Sequence, residues 1–331
     1  MKILFIGGTG TISTECTNLA VQKGFDVTLL NRGKTQTTLP KDIEVIIGDI
    51  NDEATISKLL ENKHFDVIVN FIAFTPADTA RDIRLFSQKT EQYIFISSAS
   101  AYQKPLSNAI ITESTPLANP FWEYSRNKIA CEDMLMQEYR KNGFPITIVR
   151  PSHTYGNFHL PVALHGNCGS WQVVERILQD KPIIIPGDGL NWWTVTHNTD
   201  FAKGFVGLIG NTHAIGEAFH ITSDEQLTWN DIHNSIGKAL GKSVKAVHIS
   251  AEMLVRFVPE WEGTLIGDKS NSVNFDNSKV KRAVPDYMAT TRFDQGARQA
   301  IKYIMAHDEF RKLDPQFDAF CDDIISKIER L

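Results

Sequence analysis

A tyrosine and a lysine stand four residues apart in "YSRNK" (124–128), directly before the apolar-periodic run "IACEDMLMQEY". On a helix, positions i and i+4 share a face one turn apart, so Tyr124 and Lys128 point to one place. A free phenol titrates near about 10. An adjacent ammonium favours the phenolate, and the pair then makes a proton-transfer base that works nearer neutral pH. The same spacing also describes a solvated helix face. What separates the two readings is whether other elements bring a reacting oxygen and a redox group to this point.

Through the first half of the chain, short apolar runs alternate with amphipathic ones. The runs are "KILFI" (2–6), "DVTLL" (26–30), "EVIIG" (44–48), "DVIVNF" (66–71), "YIFIS" (93–97) and "ITIVR" (146–150), with helical segments such as 14–24 and 53–63 between them. Strands that are apolar throughout, separated by helices, belong to a parallel sheet covered on both faces. After residue 156 the rhythm changes: Pro, Gly, Trp and Asn become frequent and the strand signals "PIIIP" and "AFHIT" are shorter. At 331 residues the chain is long enough for a large core and two lobes. Thirty-four Lys and Arg against 39 Asp and Glu leave a net charge of −5, no electrostatic reason to expect nucleic acid or an acidic membrane. Cys16, Cys131, Cys168 and Cys321 lack a paired spacing, which fits a reducing compartment. "MKILFIGG" is too short an apolar run for a signal peptide, and no segment approaches the ~18 apolar residues of a membrane span. A soluble, cytoplasmic protein is expected.

"KILFIGGTGTIS" is a strand, a glycine-rich turn and a helix start. Gly7 permits the tight turn, and Gly10 lets the backbone approach a pyrophosphate at the helix N-terminus; Ser13 stands where a third glycine is usual. The context, the first strand of a βαβ unit, is the one a dinucleotide fingerprint needs. The expected fold is therefore α/β, a Rossmann-type doubly wound parallel sheet with a smaller C-terminal α/β substrate lobe. Residues 1–156 form the dinucleotide-binding domain, 157–331 mainly the substrate-binding lobe, and a stretch near 192–221 returns to the first. At the end of the second strand, "LLNRGK" lacks the acidic residue that favours NAD. Asn31 can bond a hydroxyl, and Arg32 with Lys34 can accept a 2′-phosphate, so the cofactor is NAD or NADP with a lean to NADP. In such a sheet ligands bind beyond the carboxyl ends of the strands. That rim carries Gly7, Asn31, Asp49, Ala73, Ser98 and Ser152, so Ser98 falls beside the glycine turn, with the "YSRNK" helix next in the chain.

Six elements in order, "GGTGTIS", "GDIND", "ISSASAY", "YSRNK", "RPSHTYG" and "PGDG…THNTD", make the chain resemble the extended short-chain dehydrogenase/reductase family, which contains nucleotide-sugar epimerases and dehydratases. The resemblance implies an NAD(P)-dependent epimerase or reductase in which Tyr124 is the acid/base. By the same resemblance Lys128 binds the nicotinamide ribose and lowers the tyrosine pKa, and Ser98 bonds the reacting oxygen. It also implies that Asp49 meets the adenine and that Phe71 and Ala73 line the path of the ribose and phosphates. Thr11, Ile12, Ile50 and Pro151 complete the cofactor set. The implied substrate is a sugar or nucleotide sugar, near Ser100, His153 and Trp193, and relatives often pair as homodimers through a four-helix contact.

The departures bear on the substrate. Dehydratases of the family carry an acid just after the serine or threonine, where this chain has Ala99 and Ser100; that favours epimerase or reductase chemistry. The stretch after "GDG" usually supplies an arginine for the pyrophosphate, and here that position is Trp193. Trp192 and Trp193 stack on a ligand ring or form a buried pair. His159, His165 and Cys168 meet no zinc spacing, so no metal is expected. Two rivals remain. One is a reductase of a small carbonyl compound. The other is an RNA-binding relative of the fold, similar to chloroplast stem-loop-binding proteins in "GGTG…NRGK" and "FHITSDEQLTW" but opposed by the negative charge and the intact Ser98–Tyr124–Lys128 set.

Overall fold

The computed structural model describes residues 1–33, 40, 43–328 and 330; Lys34 lies outside them. The first half runs β1 (Lys2–Ile6), α1 (Ser13–Gln22), β2 (Asp26–Asn31), β3 (Glu44–Ile47), α2 (Glu53–Leu59), β4 (Phe65–Asn70), α3 (Pro76–Phe86), β5 (Thr90–Ile96), α4 (Glu123–Asn142) and β6 (Ile146–Pro151). Then come β7 (His153–Tyr155), α5 (Trp171–Leu178), β8 (Ile183–Pro186), β9 (Trp192–Trp193), β10 (Val195–His197), α6 (Asn198–Leu208), β11 (Glu217–Ile221), β12 (Leu227–Thr228), α7 (Trp229–Leu240) and β13 (Ala246–Ile249). The strands expected from the apolar runs are present, with ends shifted by a residue or a few.

Seven parallel strands pair in the order β11-β6-β5-β4-β1-β2-β3. From β1 the chain builds to one side through β2 and β3, then returns to β1's other side with β4. The loops after β1 and β4 thus part at a switch point and open a crevice beyond the strand ends. Alternate side chains of each strand reach opposite faces. Ile3, Phe5, Val67 and Val69 pack with Cys16 and Ala20 of α1 and Phe201 and Phe205 of α6. Leu4, Ile6, Ile68 and Phe95 pack with Phe86 of α3 and Leu135 of α4. Each such buried side chain stabilises by about 1.5–3 kcal/mol relative to exposure. A third cluster joins Trp171 and Ile177 of α5, Ile183 to Ile185 of β8, Trp193, and Trp229 and Ile232 of α7. Within 192–221, β11 adds to β6 and α6 packs on α1, whereas β9 pairs with β12.

Local chemistry explains where elements stop. α2 ends at Leu59, short of the periodic pattern to 63, because the Lys89 ammonium donates to the carbonyls of Leu60 (2.8 Å) and Glu61 (3.2 Å) and satisfies the helix end. The turn after β1 needs two glycines, not one. Gly7 (φ 100°) and Gly8 (φ 57°) are both left-handed, and a Cβ on Gly8 would sit 2.5 Å from Leu29 Cδ2.

The helix that carries "YSRNK" is pinned to the sheet by a buried ion pair. Arg150 of β6 donates to Glu132 of α4 through Nε (2.9 Å) and a terminal nitrogen (2.5 Å), both side chains being nearly inaccessible. The second terminal nitrogen reaches the Tyr102 hydroxyl (3.1 Å), which in turn meets His220 Nδ1 of β11 (3.0 Å). Glu132 lies one turn beyond Lys128, so this network sets which face of α4 meets the crevice. Arg150→Met strands a buried carboxylate and is expected to cost about 3–5 kcal/mol. The double variant with Glu132→Leu should cost less than the sum of the single changes, as read by urea unfolding.

Candidate active site

A cavity of about 820 Å³ fills the crevice. Gly7, Gly10, Thr11 and Ile12 of the turn, Asn31 and Arg32 after β2, Asp49 and Ile50 after β3, Phe71 after β4, and Ser98, Tyr124, Lys128 and Pro151 all line it. Of the expected cofactor residues, Ala73 alone is not part of this lining; it is fully buried and its carbonyl accepts from Lys128. The cavity suits a dinucleotide on three observations. α1 has no side-chain cap, so no side chain covers its N-terminus toward a phosphate, although the Thr14 N–H already bonds the Gly10 carbonyl (3.0 Å). A Cβ on Gly10 would meet nothing nearer than Ser13 Oγ at 3.6 Å, so protein packing does not demand that glycine, and the space left over is where a pyrophosphate would approach the backbone. The buried Ser97 hydroxyl, also in the lining, has no partner among the described residues. Ser13 accepts from the Gly10 N–H (2.8 Å). Asn31 Oδ1 accepts from Gly33 N (2.9 Å), and Arg32 is exposed. Asp49 Oδ1 accepts from Asn51 N (3.0 Å). The residues that sequence reasoning missed here include Thr75 and Asp78, which cap α3 reciprocally and are legible in "TPAD".

A second pocket of about 360 Å³ adjoins the first, and Ser98, Tyr124, Pro151 and Ser152 line both. At this seam Tyr124 is half-buried, and Lys128, four residues on, is 1% exposed. The Lys128 ammonium donates to the carbonyls of Ala73 and Ile96, each at 2.7 Å, and lies 4.6 Å from the Phe74 ring centre. Burial pushes its pKa down to about 8. The Tyr124 phenol is not depressed, contrary to expectation. Burial raises its pKa, the Ser98 hydroxyl lowers it by less, and the Asp268 charge raises it further. The reason is geometric: the ammonium is engaged by two carbonyls and stands 5.7 Å from the phenol ring centre. Ser98 Oγ and Ser100 Oγ share a hydrogen bond (2.9 Å), and Ser125 Oγ donates to Ser100 Oγ (2.8 Å).

Ser100, His153 and Trp193 line the second pocket as expected, together with Trp122, His165, Phe275, Asp268 and Lys269. Trp193 is 4% exposed and stacked on Trp229 at 4.9 Å, whereas Trp192 is exposed, so the two do not form a buried pair with each other. The Trp193 indole donates to His153 Nδ1 (3.1 Å). Burial holds His153 neutral, far below its ordinary pKa, so its proton resides on Nε2. His159, its ring tilted against that of Phe158 at 5.9 Å, is likewise held neutral by burial, at about 4. Asp268 and Lys269 end a single π-helical turn, Leu265–Lys269, and no motif in the sequence announces them.

Burial lifts the Asp268 carboxyl from 3.8 to about 6, although Lys104 and Lys269 pull the other way. A raised folded pKa means that folding favours the protonated form. That stabilisation is fully present below 3.8 and is lost as pH rises through about 6. Asparagine mimics the protonated acid. Asp268→Asn should therefore raise unfolding free energy at pH 8 by up to about 3 kcal/mol, and urea titrations at pH 8 and pH 4 should show the gain fade at the lower value.

Residues 3–222 match the model of the NAD dependent epimerase/dehydratase family. The 2′-dehydrokanamycin reductase of Streptomyces kanamyceticus is 22% identical over 87% of this chain and 80% of its own. A chloroplast stem-loop binding protein of Arabidopsis thaliana is 27% identical over 72% of this chain and 63% of its own. A UDP-glucuronic acid 4-epimerase from Bacillus cereus, solved with UDP-glucuronic acid and NAD, superposes with a TM-score of 0.72 at 21% identity, covering 92% of this chain and 99% of that one. No helix among the described residues is long and apolar enough to cross a membrane. With the family model spanning β1 to just beyond β11 and the glycine turn and Tyr–Lys helix in their places, the chain belongs to the NAD dependent epimerase/dehydratase family, enzymes of the extended short-chain dehydrogenase/reductase type.

Proposed function

We propose that the protein is an NAD(P)-dependent oxidoreductase or epimerase that moves a hydride at a carbinol carbon of a sugar or nucleotide sugar. The observation that carries this is the seam: Ser98 and Tyr124 line both the large crevice and the smaller pocket, where a cofactor and a substrate can meet. When bound, the dinucleotide supplies the hydride acceptor or donor. The chain's own groups do the rest. Ser98 donates its hydroxyl proton to the reacting oxygen. Tyr124 rests as a neutral phenol, which makes it the acid when a carbonyl is reduced; in the oxidising direction it must first lose that proton. Lys128, fixed by the Ala73 and Ile96 carbonyls, presents its remaining donor capacity to the ribose side. We read residues 1–156 as the cofactor-binding domain and the later lobe as the substrate side.

For the cofactor's adenosine end, Asn31 and the exposed Arg32 stand at the tip of β2 where an acid would favour NAD, with Asp49 lining the same crevice from beyond β3; the Asn–Arg tip supports a preference for NADP. A reductase of a small carbonyl compound is the second reading. It is favoured by the pocket lining, where Trp193 replaces a phosphate-binding arginine and Lys269 is the cation present among the described residues.

Tyr124→Phe removes one hydroxyl, so dinucleotide binding should persist while turnover falls by about 10² to 10⁴. Turnover is read by nicotinamide absorbance against a panel of UDP- and dTDP-sugars and small ketoses. Retention of near-full turnover would refute the assignment. Gly10→Ala should leave the melting temperature unchanged yet weaken dinucleotide binding at least about tenfold, as measured by calorimetry. Arg32→Ala should weaken NADP binding more than NAD binding; a wild-type preference for NAD would reject the phosphate role.

A further inference from the structure

Asp268 presents a carboxylate that no protein group satisfies. It lines the substrate pocket, and no side chain or N–H among the described residues lies within hydrogen-bond or ion-pair distance of it. Asp268 is half-buried, so water reaches its carboxylate, and a ligand that displaces that water has to supply hydrogen bonds in its place. The nearby Lys104 is not a partner for it. It is 3% exposed, does not line the pocket, and its own ammonium has no hydrogen-bond acceptor. Lys269, the next residue, lines the same pocket, and no ion pair joins it to Asp268 among the described residues. Asp268's charge acts on Tyr124, whereas the charge of Lys269 acts on His153 and His165. The acid thus serves the Tyr124 end of the pocket and the ammonium the histidine side, with Lys104 and Lys269 offsetting part of the Asp268 charge. Trp122 completes the reacting end, with its ring 4.9 Å from that of Tyr124. An aromatic face beside an unpaired carboxylate matches a hydroxylated ring, whose C–H face packs on the aromatic and whose O–H groups fill the carboxylate's empty acceptor positions.

We propose that Asp268 is a specificity-determining residue. It accepts hydrogen bonds from a hydroxyl or amino group next to the reacting carbon and rejects a sugar ring that bears a carboxylate there. This rests on the reading that the seam at Tyr124 is where the substrate reacts, and it narrows the substrate class to neutral or amine-bearing sugars rather than uronic acids.

The test compares ring charge in two ligand series at pH 8. In the first, calorimetry measures UDP-glucose and UDP-glucuronic acid on the NAD-saturated protein. In the second, saturation-transfer NMR measures glucosamine and glucuronic acid on the same protein. The expected result is at least about tenfold tighter binding of UDP-glucose than of UDP-glucuronic acid, and glucosamine held in preference to glucuronic acid. Asp268→Asn should shrink both preferences to within about threefold by improving the uronic acids, and Asp268→Ser should repeat the effect in a second background. Equal binding of the charged and neutral sugars by the unaltered protein overturns the proposal without any variant. A preference that survives both substitutions overturns it too. If neither UDP-sugar binds, the nucleotide-sugar reading fails on its own, and a glucosamine preference levelled by the substitutions still supports Asp268. No binding in either series sinks both.

Discussion

A single buried ammonium holds the site together. Lys128 Nζ bonds the carbonyl of Ala73, just past β4, and the carbonyl of Ile96, the last residue of β5. Backbone carbonyls at the ends of parallel strands have no ladder partner and must be satisfied by something. Here one side chain from α4 satisfies two of them, and in doing so fixes the helix against the rim. Tyr124, one turn earlier on that helix, is then held over the Ser98 end of β5. Arg150 and Glu132 repeat the device one turn later, so α4 is fastened to the sheet at two consecutive turns by charged groups.

This arrangement costs stability. A lysine lowered to about 8 and an aspartate raised to about 6 are both groups that folding would prefer neutral. Two apolar layers on either face of the sheet and a third cluster in the later lobe supply the offsetting stabilisation. Destabilised polar groups gathered at one crevice are the usual mark of a site kept for function at some loss of stability.

What was legible in the sequence was local. The strand–glycine–helix unit, the Tyr–Lys spacing and the alternation of strands and helices each depend on residues close in the chain, and of the rim they predict all but the buried Ala73 line the crevice. What was not legible depends on burial and long-range packing. Gly8 is required because its backbone is left-handed (φ 57°) and because Leu29 of the neighbouring strand stands 2.5 Å from where its Cβ would be. α2 ends early because of Lys89, some thirty positions on, at the start of β5. The Tyr124 pKa moves opposite to expectation because spacing shows that an ammonium is near but not that two carbonyls already hold it, and because desolvation of the phenol is invisible in a one-dimensional pattern. Asp268 and Lys269 carry no motif; they reach the pocket through a π-helical turn that follows the third cluster's packing.

The division of labour between the two sides of the seam follows from these differences. The sheet rim contributes backbone ends, a glycine turn and a helix face, all set by regular structure and therefore suited to chemistry that must keep one geometry. The facing wall contributes Asp268 and Lys269 from a π-helical turn and Phe275 from the segment after it, where side chains can change without disturbing the main sheet's strand ladder. Ser100 occupies the rim where dehydratases of the family carry an acid. Its hydroxyl is bonded to Ser98 and Ser125, and its carbonyl accepts from Asn119 at 2.9 Å, so a neutral hydroxyl chain stands there. In this chain the acidic group that lines the reacting end comes from the opposite wall instead, as Asp268.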